Sequence, residues 1–264
     1  MNILLYIIIF MMGTVFGSFL TLATYRIPLH QDIVYKHSYC PKCNHKLSFL
    51  DMIPVLSYAF LGGKCRYCKT KISPRYEIIE VLCGLAFVIL AAGIGINIQN
   101  VYTWKGIEYA LGVLYIVFVF LIAGIDKEHR EIHKGVLIYG ITISALEFIY
   151  QYNFYENFNI NRIIIYLIVT AILTVASTYK IKKTTKDDYN ISLVIFCLII
   201  NFFTFEIGTI LTIILTLLII SIKSLINKII NKGKKYDKKP PVAFYLAVSN
   251  AIVWIMIFLS QIGV

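Results

Sequence analysis

Charge is what this sequence has least of. Asp, Glu, Lys and Arg make up 15% of its 264 residues, against 59% hydrophobic ones, and the mean hydropathy is +0.77. A soluble domain of that size carries roughly a quarter charged residues, so the balance excludes water as the main solvent and points to a bilayer. The start of the chain lacks the basic n-region of a secretory signal. Its apolar run, Ile3 to Thr24, is as long as a membrane span, and it is expected to be a retained first helix. Cysteine use typical of secreted proteins is missing too. Four of the six cysteines form two Cys-x-x-Cys pairs in a lysine-rich segment, and Cys83 and Cys197 lie in apolar runs. That distribution suits metal and a reducing compartment.

What is present is a series of apolar runs of spanning length: Ile3–Thr24, Ile78–Ile96, Ile107–Ile125, Val136–Tyr150 and Ile163–Thr178. The stretch Ile191–Leu225 is too long for one span. Thr204, Glu206 and Gly208 break its centre, which predicts two helices joined by a tight outer turn. A last span runs from Val242 to Ile262. The expected fold is thus an all-α polytopic membrane protein of about eight transmembrane helices, with a small zinc-binding cytoplasmic domain between helices one and two. Of the 25 basic residues, 23 fall in the loops after helices one, three, five and seven; only Lys105 and Arg162 lie elsewhere. Basic loops stay on the cytoplasmic side, so both termini are expected outside. The net charge of +11 then serves an anionic inner leaflet, and nucleic acid is not an expected partner.

The loop from Arg26 to Tyr76 holds Cys40 and Cys43 and, after twenty-one intervening residues, Cys65 and Cys68. Two such knuckles suit tetrahedral Zn²⁺, each turn supplying two thiolates. A site of four sulfurs leaves no open coordination position, which points to a structural metal, a staple for a loop too small to build a core.

Asp126 follows the apolar run ending "LIAGI" at the cytoplasmic end of helix three, and Asp187 and Asp188 sit at matching depth before helix six. Two carboxylates at one membrane face can form an aspartyl dyad, one ionised to take a proton from water, the other protonated to polarise a carbonyl. Each acid also suits a helix end, and Asp187 or Asp188 makes a good cap for helix six. His129 and His133 lie four apart without a third ligand and read as loop residues.

In chain order, "GSFL", "YRIP", "CPKC", "LDMIPVLSY", "GGKCRYC" and "ISPRYEIIE" closely resemble the cytoplasmic domain of type IV prepilin peptidases, also called leader peptidase/N-methyltransferases. "IDKEHREIH" resembles that family's first catalytic motif, with His133 at a usual proline, and the resemblance maps Asp126 onto the first catalytic Asp. "KPPVAFYLAVSN" resembles its Pro-rich entry to the last helix. The second motif, normally Gly-x-Gly-Asp followed by an apolar residue and Lys, stands here as "TTKDDYN". Asp188 is the better match for the second catalytic Asp because it lies nearer the apolar start of helix six, with Asp187 as the alternative.

The resemblance implies cleavage of the leaders of type IV prepilins and pilin-like proteins at the bacterial cytoplasmic (inner) membrane. The leader would be short and basic, with a Gly at the cut and a hydrophobic helix beyond. Methylation of the new N-terminus with S-adenosylmethionine is implied by the resemblance alone. The expected parts are helix one at residues 1–25, the zinc-binding domain at 26–76 and the transmembrane peptidase domain at 77–264. A non-catalytic membrane scaffold or transporter with a zinc-stapled loop is the other reading. A transporter would place acids at the bilayer midplane and break its helices.

Overall fold

A computed structural model describes residues 2–33, 35, 37–154, 164, 187–230 and 240–262. The expected span Ile163–Thr178 lies, apart from Ile164, outside the described residues. Among them the chain is helical: α1 Asn2–Arg26, a 3-10 turn Phe49–Asp51, α2 Leu56–Phe60, α3 Arg75–Ile94, α4 Trp104–His129, α5 Lys134–Phe154, α6 Asp187–Ile230 and α7 Val242–Ile262. No strand is formed there beyond isolated bridges. Among the described residues four helical stretches are long and apolar enough to cross a membrane: Ile3–Arg26, Arg75–Ile94, Trp104–His129 and Gly208–Ile226. Tyr189–Thr204 and Val242–Ile257 are shorter apolar helices. The chain divides into two compact units, Met1–Tyr109 and Ala110–Val264.

In the first unit α1 packs along α3. The contact is close because both helices present glycine. A Cβ at Gly13 would lie 2.7 Å from Gly84 Cα, and one at Gly17 would lie 2.7 Å from Glu80 Cα. Gly13 and Gly17 form a G-x-x-x-G stripe, the small-residue surface that lets backbones approach where lipid gives no hydrophobic drive. The two helices are the stems of the cysteine loop. α3 ends in a left-handed Gly95 at φ 71°, whose N–H bonds back to the last turn, and Asn100 Nδ2 donates to the Gly95 carbonyl at 2.9 Å.

In the second unit α6 packs on α5 and on α7. Its 44 residues would measure about 66 Å if straight, twice a hydrocarbon core. It is not straight. The Ala243 N–H donates to the Tyr189 hydroxyl at 3.3 Å, and Lys223 Nζ bonds the Tyr245 hydroxyl. Residues 189 and 223 would stand roughly 51 Å apart on a straight helix, yet both reach the first turns of α7. The Thr209 hydroxyl donates to Asn201 Oδ1 at 3.0 Å, although residues eight apart are separated by about 12 Å along a helix axis. α6 therefore doubles back between Asn201 and Thr209. The tight turn expected near Thr204 and Gly208 is there, with helical backbone continuing through it. Thr204, Thr212 and Thr216 each donate to the carbonyl four residues earlier, at 2.9, 2.7 and 2.7 Å, back-bonding that bends helices.

Buried polar bonds tie these helices together. Tyr115 of α4 donates to Asn250 Oδ1 of α7 at 2.7 Å and stacks on Phe203 of α6 at 4.1 Å. Gln151 of α5 donates to Glu147 at 2.9 Å and to the Phe202 carbonyl at 3.1 Å, which gives the acid inside α5 a structural account.

Candidate functional site

The sulfur atoms of Cys40, Cys43, Cys65 and Cys68 all lie within 4.8 Å of one another, and none is in a disulfide. Two near-identical turns bring them there. In the first, the Cys40 N–H donates to the His45 carbonyl and the Asn44 N–H to the Cys40 carbonyl. In the second, the Cys65 N–H donates to the Thr70 carbonyl and the Lys69 N–H to the Cys65 carbonyl. Asn44 and Lys69 both take positive φ, at 55° and 59°. The bridges Tyr39↔Lys46 and Lys64↔Lys71 close the two knuckles alike.

The four cysteines could hold a metal ion. A tetrahedron with Zn–S bonds of about 2.3 Å places its sulfurs roughly 3.8 Å apart, and the Cys40–Cys68 separation is 3.8 Å. The thiols divide: hydrogen bonding with Thr70 pulls Cys68 down to about 6, while burial and the neighbouring Cys40 and Cys68 push Cys43 up to about 11. Cys40 and Cys65 are buried while Cys43 and Cys68 face outward.

A second polar network braces this loop. Asp51 accepts from Arg66 Nε at 2.5 Å, from the Ser48 hydroxyl at 2.7 Å and from the Tyr67 hydroxyl at 3.1 Å. Tyr67 in turn stacks on His45 at 3.6 Å. Burial alone would raise the Asp51 carboxyl, but Arg66, Ser48 and Tyr67 outweigh it and hold it well below the ordinary range.

At the end of α4 Asp126 is fully buried, with 0% of its surface exposed. Its two oxygens have separate partners: the Tyr189 hydroxyl donates to Oδ1 at 2.9 Å and the Phe244 N–H donates to Oδ2 at 2.8 Å. Phe244 lies in the first turn of α7. Pro240 and Pro241 precede that helix, and its first amides have no carbonyl a turn earlier to bond. A helix N-terminus also carries partial positive charge, which favours an anion. Lys127 Nζ stands over the Phe244 ring at 4.8 Å.

Asp187 and Asp188 open α6; their side chains lie outside what the structure describes. The residue directly after Asp188 is the one that reaches Asp126. Of the two histidines, His129 ends α4, and His133 Nδ1 accepts the Gly135 N–H at 3.2 Å and so caps the start of α5. Two participants were missed in the sequence, Tyr189 and the Phe244 amide. No local signal in the sequence tied either of them to Asp126.

These features define a polytopic helical membrane protein with a four-cysteine loop and a carboxylate buried at a helix end. Comparison with known proteins narrows that class. Residues 11–94 match the bacterial peptidase A24 N-terminal domain. The chain is 43% identical over 81 residues to a prepilin leader peptidase/N-methyltransferase of Myxococcus xanthus, covering 31% of this chain and 24% of the relative. It is 34% identical over 138 residues to one of Bacillus subtilis, covering 52% of each, and 41% identical over 155 residues to one of Vibrio cholerae, covering 55% and 57%. The matches thus span from about a quarter to just over half of these relatives. No solved structure matches the chain. All three of these relatives are prepilin leader peptidase/N-methyltransferases.

Proposed function

We propose that this protein cleaves the leader peptide of prepilins and pilin-like proteins at the cytoplasmic membrane face, using Asp126 and Asp188 as an aspartyl dyad with Asp187 as the alternative partner. The observation that carries the reading is the buried Asp126 bonded to Tyr189, the neighbour of Asp188. In such a dyad one carboxylate is ionised and takes a proton from the attacking water. The second aspartate, protonated, donates to the scissile carbonyl and stabilises the charge that develops there. Tyr189 and the start of α7 orient the Asp126 carboxylate, and the surrounding apolar helices keep bulk water from it.

Cys40, Cys43, Cys65 and Cys68 would hold a structural zinc, which supplies folding energy to the loop and no chemistry to the cut. The relatives are prepilin leader peptidase/N-methyltransferases, so a methyl transfer from S-adenosylmethionine to the new N-terminus accompanies the proposal. Residues 26–76 would form the zinc-binding domain and residues 77–264 the peptidase domain of a multi-pass inner-membrane enzyme.

A second reading has its own support, since a carboxylate with both oxygens occupied also serves to tie α4, α6 and α7 together. Co-expression with a prepilin separates the two. The peptidase reading expects a faster-migrating product on gels, and the mass of its N-terminus reports the cut and the methyl group together. An unprocessed prepilin beside correctly inserted protein would overturn it.

A further inference from the structure

We propose that the segment between the two cysteine knuckles docks on anionic bilayer, with Leu56 and Phe60 entering the boundary between headgroups and acyl chains. The starting observation is a strained turn. Val55 is β-branched yet adopts φ 62°, ψ −52°, with the Leu56 N–H donating to the Pro54 carbonyl at 2.6 Å. That is a γ-turn of the rare, strained hand, and such a turn persists only when its surroundings hold it. The holder is Glu80. Its carboxylate accepts the Val55 N–H at 2.8 Å and also bonds Ser18 of α1.

Glu80 is buried in α3, one of the helices apolar enough to span, and sits against Gly17 of α1. The bond therefore fixes Val55 beside the stem helices, about a turn and a half past the start of α3. α2 begins at the next residue. Leu56 and Phe60 are four apart and share a helix face, and they are 51% and 86% exposed. Phe49 and Leu50, in the 3-10 turn packed on α2, are exposed as well. A run of large apolar side chains held beside spanning helices meets lipid before it meets water.

Charge selects the kind of lipid. From Cys40 to Lys71 the loop carries Lys42, Lys46, Lys64, Arg66, Lys69 and Lys71 against one acid, Asp51. All six basic residues are exposed, and Asp51 is engaged with Arg66. Basic residues flanking an apolar tip favour an anionic leaflet, each adding attraction near the surface.

The test uses the full chain in nanodiscs, with Trp104 and Trp254 replaced by Phe and one new tryptophan in each variant. Phe60→Trp and Leu56→Trp are compared with Ile7→Trp, half-exposed on α1, and with Tyr102→Trp, 95% exposed in the loop before α4. In discs containing phosphatidylglycerol and bromine-labelled lipid, Phe60→Trp and Leu56→Trp emission is expected to be blue-shifted and quenched like Ile7→Trp. Quenching should fall when phosphatidylcholine replaces the anionic lipid or when salt is raised. Emission and quenching that follow Tyr102→Trp at both positions would overturn the proposal. Quenching indifferent to anionic lipid would overturn its electrostatic half. Protection that grows with the number of chains per disc would assign the surface to a second copy instead. If Phe60→Trp fails to insert, Leu56→Trp alone decides.

Discussion

In the loop, four sulfurs meet because two turns repeat one local pattern, each closing its hydrogen bonds within six residues. At the end of α4, one carboxylate meets a tyrosine 63 positions away and an amide 118 positions away. The first site depends on its own few residues and on what they bind. The second depends on the packing of three helices, so damage to either should leave the other largely intact.

The largest expected effect falls on the helix-built site. Asp126→Asn and Asp188→Asn should each lower prepilin cleavage by about a thousandfold or more, since an amide can neither accept a proton from water nor act as the acid. Asp187→Asn should be much milder. Gel-shift kinetics on inserted protein measure this, with metal content as the control that must not change; near-normal cleavage by Asp126→Asn would remove the dyad. Next is the loop. Cys40→Ser with Cys65→Ser, or chelation of the wild type, should take the protein from about one zinc per chain to none and expose the loop to protease, while α1 and α3 stay resistant. Elemental analysis and limited proteolysis report both, and unchanged metal in the double variant would dismiss the site.

Tyr189→Phe sharpens the comparison because it keeps the ring and removes one donor. A hydrogen bond to a charged group is worth about 1.5–3 kcal/mol, so kcat should fall roughly ten- to a hundredfold with KM near normal. A purely structural Tyr189 would instead lower the yield of inserted protein and leave kcat alone.

The smallest effect concerns Asp51. Because its folded carboxyl is held low by Arg66 and Ser48, its stabilisation of the loop is full above the ordinary Asp range and fades as pH falls toward the folded value. Arg66 is nearly half exposed, so solvent screening keeps the contribution small. Protection of the loop amides, relative to the intrinsic exchange rate at each pH, should fall as the pH drops below about 4, and Asp51→Asn should show the lower protection already at neutral pH.

The comparison also explains what could be read ahead of the structure. Cys40, Cys43, Cys65 and Cys68 were legible because a knuckle is a local object whose spacing is its geometry. Asp126 was legible as an acid ending an apolar run, and the doubling-back of α6 from Thr204, Glu206 and Gly208 breaking an overlong one. Tyr189 and the Phe244 amide were not, since nothing local marks a phenol or a free N–H as the partner of a distant carboxylate. The Gly13 and Gly17 stripe was equally silent until α3 lay against it, because glycine spacing gains meaning only from the backbone it lets approach. The strained turn at Val55 leaves no trace in sequence either, as the buried Glu80 that holds it is 25 residues away.

The reversal in α6 bears on how the chain enters its membrane. A polar turn carried across lipid must satisfy its own hydrogen bonds, and here Thr209 donates to Asn201 while Thr204 is satisfied by the Ile200 carbonyl. The first arm is a short helix; the second is the more apolar and long enough to span. The two arms can therefore cross as one hairpin, the longer drawing the shorter with it, which leaves both its ends, Tyr189 and Lys223, at one face against the first turns of α7.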